Sequence, residues 1–543
     1  MLNPVRSALA LLFTGLLASG ACAREVAPAA HQFFRVNLPA SAGQPATGRL
    51  LLFATEATAA RAAAKDGEVT EVESSPFAPK QTALAAREVE HLAPGAGVLL
   101  DADDQAFPSG FSRLPPGDYL VQAVLDTQHD YNYHGRNGGD LVSPVVEVHL
   151  PSTAPPALAL ARTLPTPALW DLPTRYMSDT TKKHLAQARK QVRSIDFVSP
   201  ALSAFWGRPI HMRGWVVLPP GYEASGKATY PAVYQTHGFG GDLHTQAGTA
   251  AMVFGAMQEK QLPPMIWVVL DESGATGTHE FADSVNNGPW GRALTTELIP
   301  ALEREYRMDA RSSGRFLTGH SSGGWATLWL QTRYPKVFGG TWSTSPDPSD
   351  FHDFTGVDLY APHANVYHRA DGTPYPLVRD KGKVLATYET FARMERVLGP
   401  YGGQMASFDW VFSPRGADGR PMPMFDRATG DVDPAVVAYW GEHYDIARRV
   451  KEHWSELKPD LDGKVHLVVG TADTFYLDGA AHRLKAVLDG LGAKSDFRFL
   501  PGRTHMDLYT QGKDHQGLLK QMAWEMYAVA RPESKLKRVA IAP

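Results

Sequence analysis

Two kinds of hydrophobic pattern divide the chain, and they change near residue 194. Between residues 33 and 150, short apolar runs stand between Gly and Pro turns, and residues 145–150 alternate apolar and polar positions. Such runs are typical of antiparallel strands. We therefore predict a β-rich, sandwich-like N-terminal domain over residues 31–150. A Pro-rich linker and a charged helix are predicted over residues 151–193.

From residue 194 to about residue 531, strand-like apolar runs alternate with helix-like segments. This alternation predicts a catalytic domain built on a mostly parallel sheet with helices on both faces. The predicted strands are residues 210–218, 232–236, 265–270, 316–317, 340–343, 464–469 and 497–500. The predicted helices are residues 250–260, 292–306, 480–491 and 515–530.

An insert at residues 345–453 interrupts this alternation. It contains two predicted helices, at residues 381–398 and 435–454, joined by a loop rich in Gly, Pro and Arg. Inserts at the functional edge of such a sheet commonly cover an active site, so we interpret this one as a cap.

The first residues have the features of a secretory signal peptide. Arg6 precedes an apolar run at residues 8–17, and small residues surround Cys22. We predict cleavage after Ala23, removal of residues 1–23, and export to the periplasm or beyond the cell. The alternative is a lipoprotein with an acylated Cys22, but Ser19 stands where such signals usually carry a Leu-like residue.

Composition narrows the possible partners. The chain has 543 residues, more than a single hydrophobic core usually accommodates, so more than one domain or a domain with insertions is expected. The net charge is −4, and acidic and basic residues are interspersed, with no basic stripe that would bind nucleic acid. No later stretch has the length of a transmembrane helix, so we expect no stable membrane insertion after cleavage. The loop at residues 126–140 collects His and Asp, but their spacing matches no standard metal site. We expect no metal or other cofactor; the oligomeric state stays open.

The segment at residues 315–330 is the strongest functional signal. Phe316 and Leu317 end an apolar run, Gly319, Ser321 and Gly323 form a G-x-S-x-G pattern, and an apolar helix follows. Strand, sharp turn and helix form the nucleophile elbow, in which small residues two places away accommodate a strained serine. We therefore predict Ser321 as a nucleophile at a helix N-terminus, where negative charge is stabilised.

A serine nucleophile needs a base and a group that orients the base. In α/β-hydrolases the chain order is Ser, Asp or Glu, then His. Asp473 follows the apolar strand at residues 464–469, and His505 follows the next strand. Both would lie at the same edge of the sheet as Ser321. Asp478 and Asp507 are the alternative acids.

Two backbone N–H groups are expected to form an oxyanion hole. Ser322 supplies one, and the glycine-rich loop at residues 237–241 supplies the other, which we assign to Phe239 with Gly240 as the alternative. The residues predicted to line the substrate site are His237, Gly238, Gly240, Trp290 and His320.

Four segments together resemble the Putative esterase family, which includes esterase D, enterochelin esterases, feruloyl esterases and mycolyltransferases. They are residues 231–238, 281–291, 295–300 and 319–324. The similarity extends from residue 194 to residue 530 and implies an α/β-hydrolase fold with a triad of Ser321, Asp473 and His505. A β-domain ahead of the hydrolase resembles the enterochelin esterase layout. The large insert is not typical of the small members, and the segment around Asp473 matches less closely than the elbow.

We therefore expect an exported serine esterase that acts on a small-molecule ester through an acyl-enzyme. One alternative is acyl transfer to a sugar or lipid alcohol by the same residues. Another is a peptidase similar to prolyl oligopeptidase, although that class carries a much larger β-domain before the catalytic one. Siderophore, feruloyl, acetyl and simple acyl esters all remain open as substrates.

Overall fold

Two β-sheets occupy the first part of the computed structural model, which describes residues 30–131, 135–399 and 403–536. The predicted signal peptide lies outside the described residues. One sheet has the strand order β4-β1-β9, and the other has the order β10-β7-β6-β2-β3-β5 with β8 paired to β6. The strands are β1 Phe33–Asn37, β2 Ala46–Glu56, β3 Thr82–Leu92, β4 Gly97–Asp101, β5 Gln105–Phe107, β6 Gly117–Asp126, β7 Leu141–Val142, β8 Val146–Leu150, β9 Ala157–Ala159 and β10 Arg162–Thr163.

The long strand β2 buries both of its faces. Leu50 and Leu52 pack in the apolar core that includes Phe34 of the other sheet. Leu51 and Phe53 point to the opposite face, where Met394 of the insert packs against them. Because successive side chains alternate across a strand, a continuous apolar run requires cover on both sides. Part of the insert therefore completes the core of the N-terminal sheet.

The part of the chain after residue 192 is organised around an eight-stranded sheet with the order β11-β12-β14-β13-β19-β20-β23-β24. Strand β12 runs antiparallel to both of its neighbours, whereas the other neighbouring pairs are parallel. The strands are β11 Arg193–Val198, β12 His211–Val217, β13 Ala232–Thr236, β14 Ile266–Leu270, β19 Arg315–His320, β20 Gly340–Thr344, β23 Val465–Gly470 and β24 Ser495–Leu500. The short strands between β14 and β19 are β15 Ser273–Gly274, β16 Gly277–Thr278, β17 Asp283–Ser284 and β18 Gly288–Pro289.

Helices cover both faces of this sheet. Trp267 and Val269 of β14 pack in one core with helices α2 (Asp179–Gln191), α4 (Leu243–Gln258) and α13 (Gly517–Ala530). Ile266 and Val268 pack in another core, with the helical segment at residues 290–305. This arrangement is the α/β-hydrolase class that the sequence predicts. The helices are α1 Ala57–Ala63, α2 Asp179–Gln191, α3 Pro200–Trp206, α4 Leu243–Gln258, α5 Trp290–Ala293, α6 Ile299–Glu305, α7 Ser322–Arg333, α8 Tyr388–Leu398, α9 Gln404–Phe412, α10 Pro434–His443, α11 Ile446–Leu461, α12 Asp478–Gly490 and α13 Gly517–Ala530, with a π-helical turn at Leu294–Leu298.

The insert contains more elements than its sequence pattern predicts. Residues 381–387 are not helical, because positive φ angles at Lys381 and Gly382 turn the chain between β21 Pro376–Asp380 and β22 Lys383–Thr387. The second predicted helix is two helices, α10 and α11, and the Asp445 side chain caps the start of α11.

No helix among the described residues is long and apolar enough to cross a membrane.

Polar contacts attach the insert to both neighbouring parts of the chain. Arg49 of β2 donates from Nε to the Val397 carbonyl of α8 over 2.9 Å. On the catalytic side, the Asn286 side chain donates to the Ser413 carbonyl over 2.8 Å, and Thr278 N–H donates to Ser407 Oγ over 3.0 Å. The insert therefore packs against the loop that follows β14.

Candidate active site

Ser321 stands at the sharp turn between β19 and α7. Its φ of 60° and ψ of −126° are unusual for a residue with a side chain. The crossing of strand and helix leaves no room at Gly319, where an added Cβ would lie 2.2 Å from the Gly323 carbonyl oxygen. The turn therefore has the strand–serine–helix geometry of a nucleophile elbow.

His505 and Asp473 are brought together at the carboxyl ends of β24 and β23. His505 Nδ1 lies 2.9 Å from Asp473 Oδ2, and both side chains are buried. Phe475 N–H donates to the other Asp473 oxygen over 2.9 Å. Burial by itself would raise the pKa of Asp473, but the neighbouring His505 and the Phe475 N–H hold it below its ordinary value. Asp473 is thus an ionised partner that orients the imidazole.

The two alternative acids have other partners. Asp478 begins α12 and pairs with Arg379 at 3.1 Å. Asp507 accepts hydrogen bonds from Thr504 N–H and Oγ, at 2.7 and 2.8 Å, and pairs with Arg503. Among the predicted acids, Asp473 is the one hydrogen-bonded to His505 in the described structure.

The loop after β13 lies directly against Ser321. A Cβ at Gly238 would be 3.1 Å from Ser321 Cβ, and Gly240 adopts a φ of +82° that favours glycine. His237 Nδ1 donates to the Gly238 carbonyl over 2.8 Å, while its Nε2 accepts from Glu272 N–H over 2.9 Å. His237 therefore supports this loop, in which His237 and Gly238 approach Gly323 and Ser321 at the start of α7. The ring of Phe239, the next residue of the loop, faces Gly277.

His320 forms part of the same site. Its ring lies 4.3 Å from the His505 ring, between centroids, and 5.5 Å from the Tyr509 ring. Burial lowers the pKa of His320 to about 3, so its imidazole is neutral. A neutral ring packed against His505 restricts the movement of that residue without adding a competing charge.

Trp290 lies at the start of α5, in the segment between β14 and α6. The indole stacks on His279 with 3.6 Å between ring centroids and 6° between planes, and its Nε1 donates to the Asn287 carbonyl over 2.9 Å. The ring is half-buried. Trp290 thus forms one wall of a cavity next to the site.

Asp347 is a site residue that the sequence reasoning missed. It accepts a hydrogen bond from Ser322 Oγ over 2.6 Å, and its N–H donates to the Ser321 carbonyl over 3.2 Å. Burial raises the pKa of Asp347 to about 6, against the opposing effect of the Ser322 hydrogen bond. The signal was available, because Asp347 follows the carboxyl end of β20 as Asp473 follows that of β23.

Within the three described stretches, no group of three or more His, Cys, Asp or Glu side chains is arranged to hold a metal ion.

Comparisons with known proteins show what this chain is similar to. Two curated proteins, Esterase Rv1288 and Esterase MT1326 from two strains of Mycobacterium tuberculosis, are each 30% identical over 148 residues, or 26% of this chain. The chain spans only 31% of the length of these relatives. A CE1 ferulic acid esterase from Anaeromyces mucronatus overlays with a TM-score of 0.35 at 12% identity, covering 62% of this chain and 91% of that one. The S-formylglutathione hydrolase FrmB from Staphylococcus aureus gives a TM-score of 0.37 at 12% identity, covering 62% and 98%.

The match to a protein family covers more of the chain than the curated relatives do. The family described as Putative esterase matches residues 203–537, which is more than half of the chain and includes the elbow, Asp473 and His505. The chain therefore belongs to the Putative esterase family.

Proposed function

We propose that this protein is a serine hydrolase that cleaves carboxylic esters through an acyl-enzyme. The observation that carries the proposal is the His505–Asp473 hydrogen bond of 2.9 Å, with the His505 ring packed 4.3 Å from that of His320. The next residue, Ser321, is held at positive φ on the elbow. Ser321 Oγ attacks the ester carbonyl carbon while its proton passes to His505 Nε2. Asp473 holds the imidazole in position and stabilises its positive charge.

The negative charge of the tetrahedral intermediate falls on the former carbonyl oxygen. The N–H groups of Phe239 and Ser322 would donate to it, in a site where buried groups exclude water. His505 then gives its proton to the alcohol oxygen, the carbon–oxygen bond breaks, and the acyl group stays on Ser321. Water attacks the acyl-enzyme by the reverse sequence, with His505 as base, and releases the carboxylic acid.

Three further features belong to this proposal. The N-terminal sheets form a β-sandwich-like domain. The insert at residues 345–453 acts as a cap, and its contacts with the loop after β14 support that role.

Residues 1–23 form a signal peptide that directs export of the enzyme and is cleaved after Ala23. The mature N-terminus of protein secreted by its natural host, read by sequencing, should begin at Arg24, and a lipid-modified Cys22 would overturn export as a soluble enzyme.

Covalent labelling tests the central claim. A fluorophosphonate probe should modify Ser321 alone, as located by peptide mass spectrometry, and labelling should abolish the turnover of 4-nitrophenyl acetate. Ser322→Ala should still be labelled, whereas Ser321→Ala should not. Full ester turnover in Ser321→Ala, or labelling at another residue, would refute the proposed nucleophile.

A further inference from the structure

A phenyl ring from the N-terminal part of the chain lies next to the ring that packs on His505. Phe77 belongs to the segment between α1 and β3, and its ring centre lies 6.4 Å from that of Phe475. The Phe475 ring in turn lies 5.0 Å from the His505 ring, with 84° between their planes. Both separations fall within the range of about 4.5–7 Å that is typical of aromatic pairs. A continuous series of ring contacts therefore leads from the N-terminal part to the proposed base.

A tight turn fixes the position of Phe77. Its N–H donates to Ser75 Oγ over 3.2 Å, and Ala78 N–H donates to the Ser75 carbonyl over 3.1 Å. Pro76 occupies the second position of this turn, where the φ angle of proline is favourable. A second turn that contains a proline follows at residues 78–81. Because proline limits the backbone conformations of the turn, Phe77 is in place before a ligand binds.

The base of this segment is attached to the N-terminal sheet. Val72 N–H donates to Gln122 Oε1 of β6 over 2.9 Å, and Thr82 Oγ1 at the start of β3 donates to the Glu73 carbonyl over 2.8 Å. Tyr131 Oη donates to the Glu73 carboxylate. The N-terminal sheet therefore positions the turn against the loop that follows β23.

Apolar surface is exposed at this place. The side chain of Phe77 is 40% exposed although it has an aromatic neighbour, and that of Phe475 is half-buried. Met506, the residue after His505, is 63% exposed. Large apolar side chains that stay exposed close to one another mark binding surfaces, whereas those scattered singly do not. The surface beside His505 is thus suited to an apolar ligand group.

The charged side chains of the adjacent loops leave this surface nearly neutral. Arg503 lies 3.3 Å from Asp507, and Arg379 lies 3.1 Å from Asp478. Lys80 of the second turn is exposed, so water and salt screen its charge. Because the nearest charges are paired with one another or screened, the surface favours an uncharged group.

The position beside His505 identifies the part of the ester that meets this surface. In the proposed reaction His505 gives its proton to the alcohol oxygen, so the alcohol group has to lie next to that ring. The carbonyl oxygen is directed elsewhere, to the N–H groups of Phe239 and Ser322. A substituent on the alcohol therefore reaches Phe475 first and Phe77 beyond it.

We propose that Phe77 and Phe475 form a subsite for an apolar alcohol group of the ester, either an arylmethyl group or an alkyl chain. Phe77 is then a specificity-determining residue that the N-terminal part supplies to the catalytic centre. This inference rests on the proposed ester hydrolysis and names the preferred substrates as esters of apolar alcohols, in contrast to esters of polyhydroxylated alcohols.

The first test varies the alcohol and keeps the acyl group. Phe77→Ala should lower the ratio of kcat/KM for benzyl acetate to kcat/KM for methyl acetate about tenfold, which corresponds to about 1.4 kcal/mol of lost transition-state binding. Phe77→Leu keeps an apolar side chain and should recover part of the ratio. The matched control is Phe33→Ala, because Phe33 is 36% exposed and its ring lies near His31 instead; it should leave the ratio unchanged. Equal losses for the two acetates in Phe77→Ala would overturn the inference.

A second pair of esters separates the alcohol side from the acyl side. Methyl acetate and methyl phenylacetate share their alcohol and differ in their acyl group. Phe77→Ala should leave the ratio of their kcat/KM values unchanged, because the ring contacts only the alcohol side. A change in this ratio with no change in the ratio for the two acetates would place Phe77 on the acyl side and overturn the inference.

Capture of the acyl-enzyme by added alcohols tests the same subsite in the reverse direction. The alcohol oxygen attacks the acyl carbon, its proton passes to His505, and the bond to Ser321 Oγ breaks as the serine regains a proton. With 4-nitrophenyl acetate as donor and equal concentrations of both alcohols, wild type should form benzyl acetate in preference to methyl acetate. Phe77→Ala should lower that preference about tenfold.

Three results of the capture experiment would overturn the inference. They are an absence of benzyl acetate, the same preference in wild type and Phe77→Ala, and faster capture by glycerol than by benzyl alcohol. The proposed hydrolysis would still stand in each case, because it fails only if Ser321→Ala retains ester turnover.

Discussion

Arg379 of the insert donates from Nε to the backbone carbonyl of Asp473 over 2.7 Å. The backbone N–H of Arg379 also donates to the Thr474 carbonyl over 2.9 Å, and the Arg379 guanidinium lies 4.0 Å from the centre of the Tyr476 ring. Tyr476 has a φ of 60°, so the loop that carries the proposed acid is strained. Part of the insert thus holds the Asp473 loop in its observed conformation.

Arg379→Ala should therefore lower kcat about tenfold with little change in KM, because it removes the charged side-chain hydrogen bond to the Asp473 carbonyl and keeps the backbone N–H bond to Thr474. A hydrogen bond from a charged donor is worth about 1.5–3 kcal/mol, and this one acts on the orientation of His505 rather than on substrate binding. Arg369→Ala is the matched control, because Arg369 lies in the same insert and stacks on Tyr375 instead. A rise in KM alone, or an equal effect in both variants, would argue against a positioning role.

The two adjacent serines should respond differently to substitution. Ser321→Ala should lower kcat for 4-nitrophenyl acetate by about 10⁴-fold or more, as losses of triad members do. Ser322→Ala keeps its backbone N–H, so its kcat should stay within about tenfold. It should nevertheless lower the unfolding free energy by about 1–3 kcal/mol, because buried Asp347 loses its hydroxyl donor. Equal kinetic losses in the two variants would contradict the assignment of Ser321.

Gly238 should be needed for catalysis more than for stability. A methyl group there would lie 3.1 Å from Ser321 Cβ and 3.2 Å from the His320 carbonyl oxygen, so Gly238→Ala must displace the nucleophile or the loop by a few tenths of an ångström. We expect kcat to fall about tenfold or more, since misplacement of reacting groups is costly. Gly248→Ala is the control, because Gly248 lies on α4 with no atom within 4 Å of its added Cβ. Gly248→Ala should be neutral or stabilising by up to about 1 kcal/mol. Thermal unfolding and steady-state kinetics of both variants distinguish these effects.

The buried Asp347 should make stability depend on pH. Its pKa is raised to about 6 in the folded protein from 3.8, so the unfolded chain loses this proton first as pH rises. The contribution of Asp347 to stability should therefore fall between about pH 4 and pH 6, by up to about 3 kcal/mol. Asp347→Asn still accepts from Ser322 and does not ionise.

Urea unfolding of wild type and Asp347→Asn from pH 4 to pH 7 measures this dependence. The unfolding free energy of the variant relative to wild type should increase with pH across that window and level off above it. Asp418→Asn, at an exposed position of the same insert, is the control. Parallel stability curves for wild type and Asp347→Asn would show that Asp347 keeps an ordinary pKa in the folded protein.

The sequence alone determined the features that depend on neighbouring residues. The apolar run before Ser321, the glycines on either side and the apolar helix after it predict the elbow, because strand, turn and helix are each specified locally. The alternation from residue 194 onward predicts the mostly parallel sheet. Asp473 and His505 could then be placed at the edge of the sheet where Ser321 lies, because the carboxyl ends of parallel strands meet at the same edge. In the structure His505 is hydrogen-bonded to Asp473, and its ring packs against His320, the residue before Ser321.

Only the tertiary structure decided which distant segments meet. Arg379 and Asp473 are 94 residues apart, and Arg49 and Val397 are 348 apart. The apolar pattern of α8 indicates a buried face but does not specify that an N-terminal strand covers part of it. Similarly, the sequence shows an Asp at position 347 and a His at position 279 but not how deeply each is buried. Burial raises the pKa of the Asp347 carboxyl and lowers that of the His279 ring, which is therefore neutral. Hydrophobic periodicity records that a side chain is buried, whereas its partners and its electrostatic environment follow from how separately formed layers pack.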